Sequence, residues 1–360
     1  MRHLLVSFYL VAAFSLSAQD PWVKFVDPKS RLAGFKDLSG TIRIAARFEN
    51  YFVADTFHNI IAVREPVAKS YESYYLLKSG KKTGRDSLYL FDGYDCESDG
   101  MIMYKDHNTD YIGYLNANGN AVIPAVYNSA TGFRNGFAQA LFGAKKRCWE
   151  GGDDTTNCER LILEGGRQLL INKQNEILAE GIASDFYQTV DWYSTRINEV
   201  PEDTSIYVKV DGKNGIKYYF IHFQKEFQKW FYNDFLASLN TGQTKYLFPE
   251  IMIWDQKNGW RSISREAYMK SYSEVLKKER FQTGANKKLN FGQGEFSDYV
   301  MTSPVYLEFF TSCGRFDKYR YPFFVVQLSY SKNGKFDHSE SFEFIRTSHG
   351  YRLMQAPISH

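Results

Sequence analysis

The sequence has little proline, little cysteine and no long apolar run after its N-terminal segment. Of 360 residues, 9 are Pro, 26 are Gly and 4 are Cys. Gly and Pro together lie below the range of collagen-like or low-complexity chains. No later apolar stretch approaches the about 20 residues that a membrane helix needs. These scarcities exclude a fibrous chain and predict a protein that is not membrane-spanning.

Charge of one sign is also in little excess. Lys and Arg number 44 and Asp and Glu number 41, so the formal net charge is only +3. A balance this even predicts no nucleic acid partner and gives no reason to expect an anionic membrane. The chain is 24% charged and 44% hydrophobic, which favours folding over disorder. Its length is enough for about two domains.

Catalytic motifs are missing as well. The chain has no Gly-x-Ser-x-Gly turn, no His-Glu-x-x-His motif and no phosphate-binding loop. The cysteines lack the spacing of zinc ligands. The sequence therefore assigns no catalytic residue and no organic cofactor, and the protein is more simply explained as a non-enzyme.

One acidic segment has the spacing of a calcium loop. Asp95, Glu97 and Asp99 alternate before Gly100, and Asp106 stands at the twelfth position. Oxygen ligands at alternate positions, followed by glycine and a closing acid, are what a calcium loop requires. Calcium is thus a weak candidate ligand, and a solvated acidic hairpin tip is the alternative.

The first residues have the layout of a secretory signal. Arg2 and His3 precede an apolar run, and small residues follow at Ser15, Ser17 and Ala18. We interpret residues 1–18 as a signal peptide cleaved after Ser17 or Ala18, with a buried N-terminal strand as the alternative. The mature protein is expected to be exported, and to be periplasmic or extracellular.

Export would make the cysteines candidates for oxidation. Cys148 and Cys158 flank a short polar segment and are predicted to form a local disulfide. Closing so short a loop would contribute about 2–3 kcal/mol in the chain-entropy account. Two free thiols at a loop are the alternative. Cys96 and Cys313 are far apart in sequence and have no obvious mates.

Turn-forming pairs dominate the chain and predict a mainly β fold. Asn-Gly and Asp-Gly pairs favour the tight turns of hairpins, and short β-branched or aromatic runs flank many of them. These pairs begin at Asn118, Asn135, Asn214, Asn258, Asn333, Asp92, Asp99 and Asp211.

One hairpin pattern occurs twice in the N-terminal part. The aligned pairs are Gly34 with Gly113, Gly40 with Gly119, Ile44 with Ile123, Phe48 with Tyr127, Phe57 with Phe133, Asn59 with Asn135 and Ala62 with Ala138. Shorter copies are suggested from Tyr75 to Tyr104 and from Leu169 to Leu178. Because one copy could not bury its apolar face alone, we predict that the copies pack on one another.

The second copy resembles the WG (KWG) repeat of bacterial, often exported, proteins. The run from Gly113 to Tyr127, followed by Phe133 to Ala138, carries the resemblance, with Ile112-Gly113 where the name-giving Trp-Gly stands. The resemblance covers roughly residues 30–180 and implies stacked β hairpins that act as a scaffold or interaction array. We therefore expect a WG-repeat β domain over residues 19–215.

From about Tyr218 the apolar spacing becomes helical. The aromatic residues up to Phe235 predict an amphipathic helix that ends near Asn240, and Ser264 is a predicted N-cap of a second helix. Strands are predicted at Val305 to Phe310, Phe323 to Tyr330, Ser341 to Arg346 and Tyr351 to Met354. This element order resembles the NTF2-like fold. We expect an α+β domain over residues 216–360, with two helices on a curved antiparallel sheet.

These features favour an exported, non-catalytic scaffold or interaction protein of the bacterial envelope or exterior, with a protein or an envelope polymer as its partner. The alternative is a small-molecule or enzymatic pocket in the C-terminal domain, near Asp298, Glu308 or His338. A glycan-binding face is a third possibility, because the chain has 6 Trp and 26 Tyr. Core packing is the better default for most of these rings.

Overall fold

The computed structural model describes residues 20–90, 94–149, 151, 158–239, 244–295 and 303–358. The proposed signal peptide, the Asp92 turn, the expected helix end at Asn240 and Asp298 lie outside these residues. The described chain is mainly β, as the sequence predicted, and contains several small antiparallel sheets.

Before residue 223, the described residues include short strands that form five sheets and one two-stranded ribbon. The order is β3-β2-β1-β4 in sheet I, β5-β6-β7 in sheet II, β10-β9-β8 in sheet III, β11-β12-β15-β16 in sheet IV and β17-β19-β18 in sheet V, and β13 pairs with β14. The strand bounds are Trp22–Val26 (β1), Leu32–Lys36 (β2), Ile42–Glu49 (β3), Thr56–Phe57 (β4), Ile60–Val67 (β5), Ser70–Leu77 (β6), Lys82–Thr83 (β7), Met101–Lys105 (β8), Ile112–Asn116 (β9), Ala121–Tyr127 (β10), Ser129–Ala130 (β11), Phe137–Phe142 (β12), Lys145–Cys148 (β13), Leu161–Glu164 (β14), Arg167–Asn172 (β15), Ile177–Glu180 (β16), Val190–Ile197 (β17), Tyr207–Asp211 (β18) and Lys217–His222 (β19).

Successive sheets share apolar cores. Along β6, Tyr74 and Leu76 lie in a core shared with sheet I, whereas Tyr75 and Leu77 lie in a core shared with sheet III. This division follows because successive side chains of a strand point to opposite faces of its sheet. Sheet IV likewise shares one core with sheet III and another with sheet V. Each of these two middle sheets is therefore buried on both faces.

The two aligned copies have the same strand register. Ala33 pairs with Phe48 as Ile112 pairs with Tyr127, and Phe35 pairs with Ile44 as Tyr114 pairs with Ile123. The glycines are also equivalent, because a Cβ on Gly34 or on Gly113 would lie 2.5 Å from the carbonyl oxygen of Ile44 or Ile123. Both positions require glycine so that the neighbouring backbone can approach.

The later half of the alignment is one residue out. Ile60 pairs with Leu77, and Phe137 pairs with Asn172. Leu77 and Asn172 are equivalent positions, because each is the last residue of its strand before a turn. Ala138 therefore corresponds to Ile61, not to Ala62. The two halves of each repeated unit lie on different sheets. The number of residues that connect one sheet to the next differs between the two copies, and the spacing of residues within a strand does not predict that number.

The part after β19 contains helices and a six-stranded sheet of order β21-β20-β25-β24-β23-β22. The strands are Leu247–Asp255 (β20), Gly259–Ser264 (β21), Lys287–Gln293 (β22), Phe323–Lys332 (β23), Lys335–Thr347 (β24) and Gly350–Gln355 (β25). The α-helices of the chain are Phe186–Thr189 (α1), Phe223–Trp230 (α2), Leu236–Ser238 (α3) and Arg265–Tyr272 (α4), with a π-helical turn at Phe231–Phe235. Short 3-10 helices lie at Asn50–Phe52, Thr204–Ile206, Lys213–Gly215, Ser273–Leu276, Lys278–Phe281 and Pro304–Phe309.

Three expectations for this part were wrong. The first helix begins at Phe223 instead of Tyr218, because residues 217–222 form β19 and direct Tyr218 and Phe220 into the core of sheet V. Residues Pro304–Phe309 form a 3-10 helix in place of the expected strand, with Pro304 at its first turn. The large sheet is not wholly antiparallel, because β20 pairs with β25 in parallel.

The second helix begins where the sequence predicted. Ser264 is the N-cap of α4, and its hydroxyl accepts a hydrogen bond of 3.2 Å from the backbone N–H of Ala267. Serine at this position satisfies one of the backbone donors that a helix start leaves unpaired.

Aromatic rings fill the space between α2 and the large sheet. Phe227 stacks on Phe324 with centroids 4.5 Å apart and also contacts Phe344, which packs against Phe235. These four side chains are buried. Within the described residues, the centre of this part is therefore a packed core.

Several contacts join this part to the smaller sheets. The backbone N–H of Thr56 donates to the carbonyl oxygen of Ser312 at 2.9 Å, next to a disulfide between Cys96 and Cys313. At a separate place, Arg346 of β24 forms an ion pair with Asp191 of β17 at 2.9 Å. These contacts position residues 308–321 against the small sheets.

Candidate partner-binding groove

A groove of about 1370 Å³ lies between the small sheets and residues 308–321. The small sheets contribute residues 94–100, 128–132 and 139–141, together with Arg134, Tyr187 and Tyr193. Residues 310–313 and 315–321 line the groove from the C-terminal part. The groove thus combines segments that are distant in the sequence.

A glycine turn presents Arg134 to the groove. Asn135 and Gly136 have φ angles of 50° and 83°, and Arg134 and Phe137 exchange backbone hydrogen bonds across them. Positive φ at both central positions is the reason that Asn-Gly suits this turn. The backbone N–H of Gly136 also donates to Asp99 Oδ2 at 2.7 Å, which joins this turn to the turn of sheet III.

Tyrosine and arginine side chains form paired surfaces in the groove. The Arg134 guanidinium lies 4.2 Å from the ring centroid of Tyr319, and the Tyr187 ring is 5.7 Å from the same ring. Arg320 lies 5.2 Å from the ring of Tyr193, which is 45% exposed. Guanidinium groups stacked on rings keep hydrogen-bond donors available while covering apolar surface. The groove can therefore make both apolar and polar contacts with a bound chain.

Two carboxylates of the groove lie in poorly solvated positions. Burial raises the pKa of Asp95 to about 6, against the opposing effect of hydrogen bonds such as that from Met103 N at 2.7 Å. Burial also raises the pKa of Asp317, while Arg134 lowers it. Asp317 Oδ1 is buried and has no hydrogen-bond partner in the described structure. A buried acceptor without a partner is an exception among native polar groups.

The four residues of the predicted calcium loop serve separate turns. Glu97 accepts from the backbone N–H groups of Asn59 and Ile60 at 2.7 and 3.0 Å. Asp106 Oδ1 accepts from Thr109 N at 2.9 Å, and backbone and side-chain hydrogen bonds to Thr109 lower the pKa of Asp106. Asp27 has the same role in the first copy, accepting from Ser30 N at 2.7 Å.

The structure does not assemble these four carboxylates into a calcium shell. Asp95 and Asp99 accept from backbone N–H groups on different segments, as described above. No group of three or more His, Cys, Asp or Glu side chains is close enough to hold a metal ion in the part of the chain that the structure describes. Calcium binding at Asp95, Glu97, Asp99 and Asp106 stays a prediction without geometric support.

The structure pairs the cysteines into two disulfides. Cys148 and Cys158 are bonded, as the sequence suggested, with their Cα atoms 5.6 Å apart. Cys96 and Cys313, for which the sequence offered no partners, are bonded to each other with Cα atoms 5.8 Å apart. This second bond lies in the lining of the groove and connects its two walls.

The polar residues proposed for a C-terminal pocket are not brought together. Glu308 is exposed, lies on a 3-10 helix and lines the groove. His338 lies on β24, where its ring stacks on Tyr330 at 4.4 Å and its Nδ1 is 2.8 Å from Asp337. Asp298 lies outside the described residues.

Sequence reasoning missed the main residues of the groove. Arg134, Tyr187, Tyr193 and Tyr319 come from three distant regions of the chain, so no spacing connects them. The only local signal was the density of basic and aromatic residues in Lys318-Tyr-Arg-Tyr321. A sequence pattern can identify such a segment but cannot identify the sheets opposite it.

Comparison with known proteins supports the repeat. Residues 112–145, which run from β9 into β13, match the family described as WG containing repeat. The chain therefore contains a WG-type repeat in the copy that begins at Gly113. No curated protein and no solved structure matches the chain. Among the described residues, no helix is long and apolar enough to cross a membrane.

Proposed function

We propose that this protein is an exported, non-catalytic interaction protein that holds an extended segment of a partner protein in the groove. The groove itself is the observation that carries this proposal. Its volume of about 1370 Å³ exceeds the roughly 300–1,000 Å³ that is usual for small-molecule pockets. An extended chain segment would fill this volume better than a single small ligand.

The chemistry of the groove favours protein over another polymer. Tyr and Arg are the residue types enriched among the energetically important positions of protein interfaces, and the paired surfaces contain both. The groove also carries both signs of charge, with Arg134 and Arg320 near Asp95 and Asp317. A peptide offers donors, acceptors and apolar side chains in alternation, which matches this mixture.

The repeated units supply the scaffold in this proposal. Sheets I to V would form an ordered hairpin array, since each middle sheet shares a core with the sheet on either side. Because β19 of sheet V ends at His222, this array would extend past the expected boundary at residue 215, and an α+β domain would begin at Phe223. The segment 308–321 of that domain completes the groove. A relation to the NTF2-like fold stays a prediction, and the parallel pairing of β20 with β25 is a departure from the antiparallel sheet expected of it.

Export to the periplasm or exterior is part of the same proposal. The signal-like N-terminus supports it, and both disulfides would be stable in an oxidising compartment. The competing function, a small-molecule or enzymatic pocket between helices and sheet, is disfavoured because the rings of Phe227, Phe324 and Phe344 occupy that space.

A random peptide library displayed on phage tests this function. Peptides selected on the oxidised mature protein should bind it with measurable affinity by fluorescence anisotropy. Arg134→Ala and Tyr319→Ala should each weaken that binding about tenfold or more, as expected for central interface positions. Tyr51→Ala is the matched control, because Tyr51 is 87% exposed and does not line the groove.

Two outcomes would contradict the proposal. The first is a selection that enriches no peptide, and the second is a set of selected peptides that bind the groove variants as tightly as the unchanged protein. Retention of the protein in a gel that contains a purified envelope polysaccharide, lost in Tyr319→Ala, would instead assign the groove to a polymer.

A further inference from the structure

A second cleft, of about 340 Å³, lies at one end of the large sheet. It exists because β25 is shorter than the two strands beside it. β25 ends at Gln355, whereas β20 continues beyond its pairing of Met252 with Gln355, and β24 extends well before Glu343. Residues 355–358 and residues 338–341 of β24 line the space, and no helix residue of the described chain does so.

Two exposed tryptophans line the cleft. Trp254 of β20 and Trp260 of β21 are directly opposite each other, with ring centroids 5.4 Å apart. They are 52% and 44% exposed. Such a cross-strand pair stabilises its hairpin modestly, but that role does not require the rings to border a cleft. Their exposed faces offer flat apolar surface beside polar groups.

The polar lining is neutral overall. Ser339, Ser341 and Gln355 provide hydroxyl and amide groups. Glu340 is compensated by Arg280, whose Nε donates to Glu340 Oε2 at 3.0 Å, and both side chains are 11% exposed. The nearby His338 ring nitrogen is engaged with Asp337. A charged ligand would find no unpaired opposite charge among these residues, so the lining favours a neutral, hydroxyl-rich ligand.

We propose that this cleft binds a neutral sugar unit of a glycan. The C–H face of a pyranose ring would lie on the Trp254 and Trp260 rings, and its hydroxyl groups would exchange hydrogen bonds with Ser339, Ser341 and Gln355. The volume is at the lower end of the range for small-ligand sites, which fits one or two sugar rings. The site is separate from the groove and does not depend on the function proposed for it.

Calorimetric titration with three neutral oligosaccharides tests the site. The probes are chitotetraose, cellotetraose and maltotetraose, each added to the full mature chain. At least one should bind with millimolar affinity or better, and Trp260→Ala should weaken it about tenfold. Trp149→Ala is the control, because Trp149 is 62% exposed, contacts Arg160 and lies outside the cleft. The control should bind as the unchanged protein does.

A second variant separates binding from hairpin stability. Ser341→Ala removes one hydroxyl group and leaves the Trp pair intact, so it should weaken the same oligosaccharide several-fold without lowering the melting temperature. The proposal is overturned if none of the three oligosaccharides binds. It is equally overturned if Trp260→Ala and Ser341→Ala both retain full affinity, or if Trp149→Ala loses as much as Trp260→Ala. None of these outcomes bears on the peptide groove.

Discussion

Replacement of Arg346 by methionine should destabilise the junction between the small sheets and the C-terminal part. Arg346 Nη1 is 2.9 Å from Asp191 Oδ2, and its Nε and Nη2 donate to Glu226 at 2.9 and 3.2 Å. The Tyr351 hydroxyl donates to the same Glu226 carboxylate at 2.8 Å. The guanidinium group of Arg346 on β24 therefore binds carboxylates of both β17 and α2. Methionine keeps an unbranched apolar stem and removes the guanidinium group with its charge and its donors.

The size of the loss follows from how poorly solvated these groups are. The side chains of Arg346, Asp191 and Glu226 are 17%, 8% and 21% exposed. Removing one member of a buried ion pair costs about 3–5 kcal/mol, because the remaining charge stays buried without a partner. Here two carboxylates lose their partner. Against a total unfolding free energy of about 5–15 kcal/mol, the loss should be readily measured.

Urea unfolding followed by tryptophan fluorescence measures this change, and Trp192 lies next to Asp191 in the sequence. The matched control is Arg196→Met, because Arg196 and Glu199 form an exposed pair with side chains 40% and 70% exposed. Such a pair contributes at most about 1 kcal/mol. If Arg346→Met costs no more than Arg196→Met, the buried network does not hold the two parts together.

Four other predictions have equally definite expected outcomes. Gly113→Ala should lower the unfolding free energy by about 1–3 kcal/mol through overpacking, because the new Cβ would lie 2.5 Å from a carbonyl oxygen. Gly284→Ala is the control and should not lower it, because a Cβ at Gly284 would have no neighbouring atom within 4 Å. Cys96→Ser should cost about 2–5 kcal/mol under oxidising conditions and nothing after reduction of both proteins with dithiothreitol. The folded pKa of Asp95 is raised from 3.8 to about 6. The stability that Asp95 contributes should therefore be fully present below pH 3.8 and lost as the pH rises through 6. Asp95→Asn should remove up to about 3 kcal/mol of that pH dependence in unfolding curves, and an unchanged pH dependence would refute the effect ascribed to burial of Asp95. If residues 1–18 are a signal peptide, N-terminal sequencing of the mature protein should find cleavage after Ser17 or one residue later, and an intact N-terminus would exclude a cleaved signal.

The sequence predicted the repeated unit because its determinants are local. Gly113, Ile123 and Tyr127 are close in the chain, and the close approach at the glycine fixes both the residue type and its spacing to the next strand. The same reasoning located the start of α4 at Ser264. Where a local contact sets the residue type, the pattern in the sequence reports the structure directly.

The errors arose where one pattern fits two structures. Phe220 and Phe223 have the spacing of a helical stripe, yet Phe220 ends up in a strand, because alternate aromatic residues in β19 satisfy the core of sheet V equally well. The pairing of Cys96 with Cys313 spans 217 residues, so it depends on the packing of the two parts and leaves no local trace. The groove could not be predicted from the sequence for the same reason, because its two walls come from distant segments of the chain.

The junction contacts also affect the peptide binding that we propose for the groove. An extended peptide loses conformational freedom on binding, and a site that must also order itself adds to that cost. In this protein Cys96 is bonded to Cys313, and Thr56 is hydrogen-bonded to Ser312, so the wall that carries Tyr319 is tied to the small sheets before any partner arrives. Cys96→Ser should therefore lower the affinity for selected peptides, although Arg134 and Tyr319 are unchanged. The loss of affinity should be larger when the variant makes this wall more mobile. Amide hydrogen exchange measures the mobility of the wall. If Cys96→Ser speeds exchange in the wall but leaves the affinity for peptides unaltered, the disulfide does not contribute to binding through preorganisation.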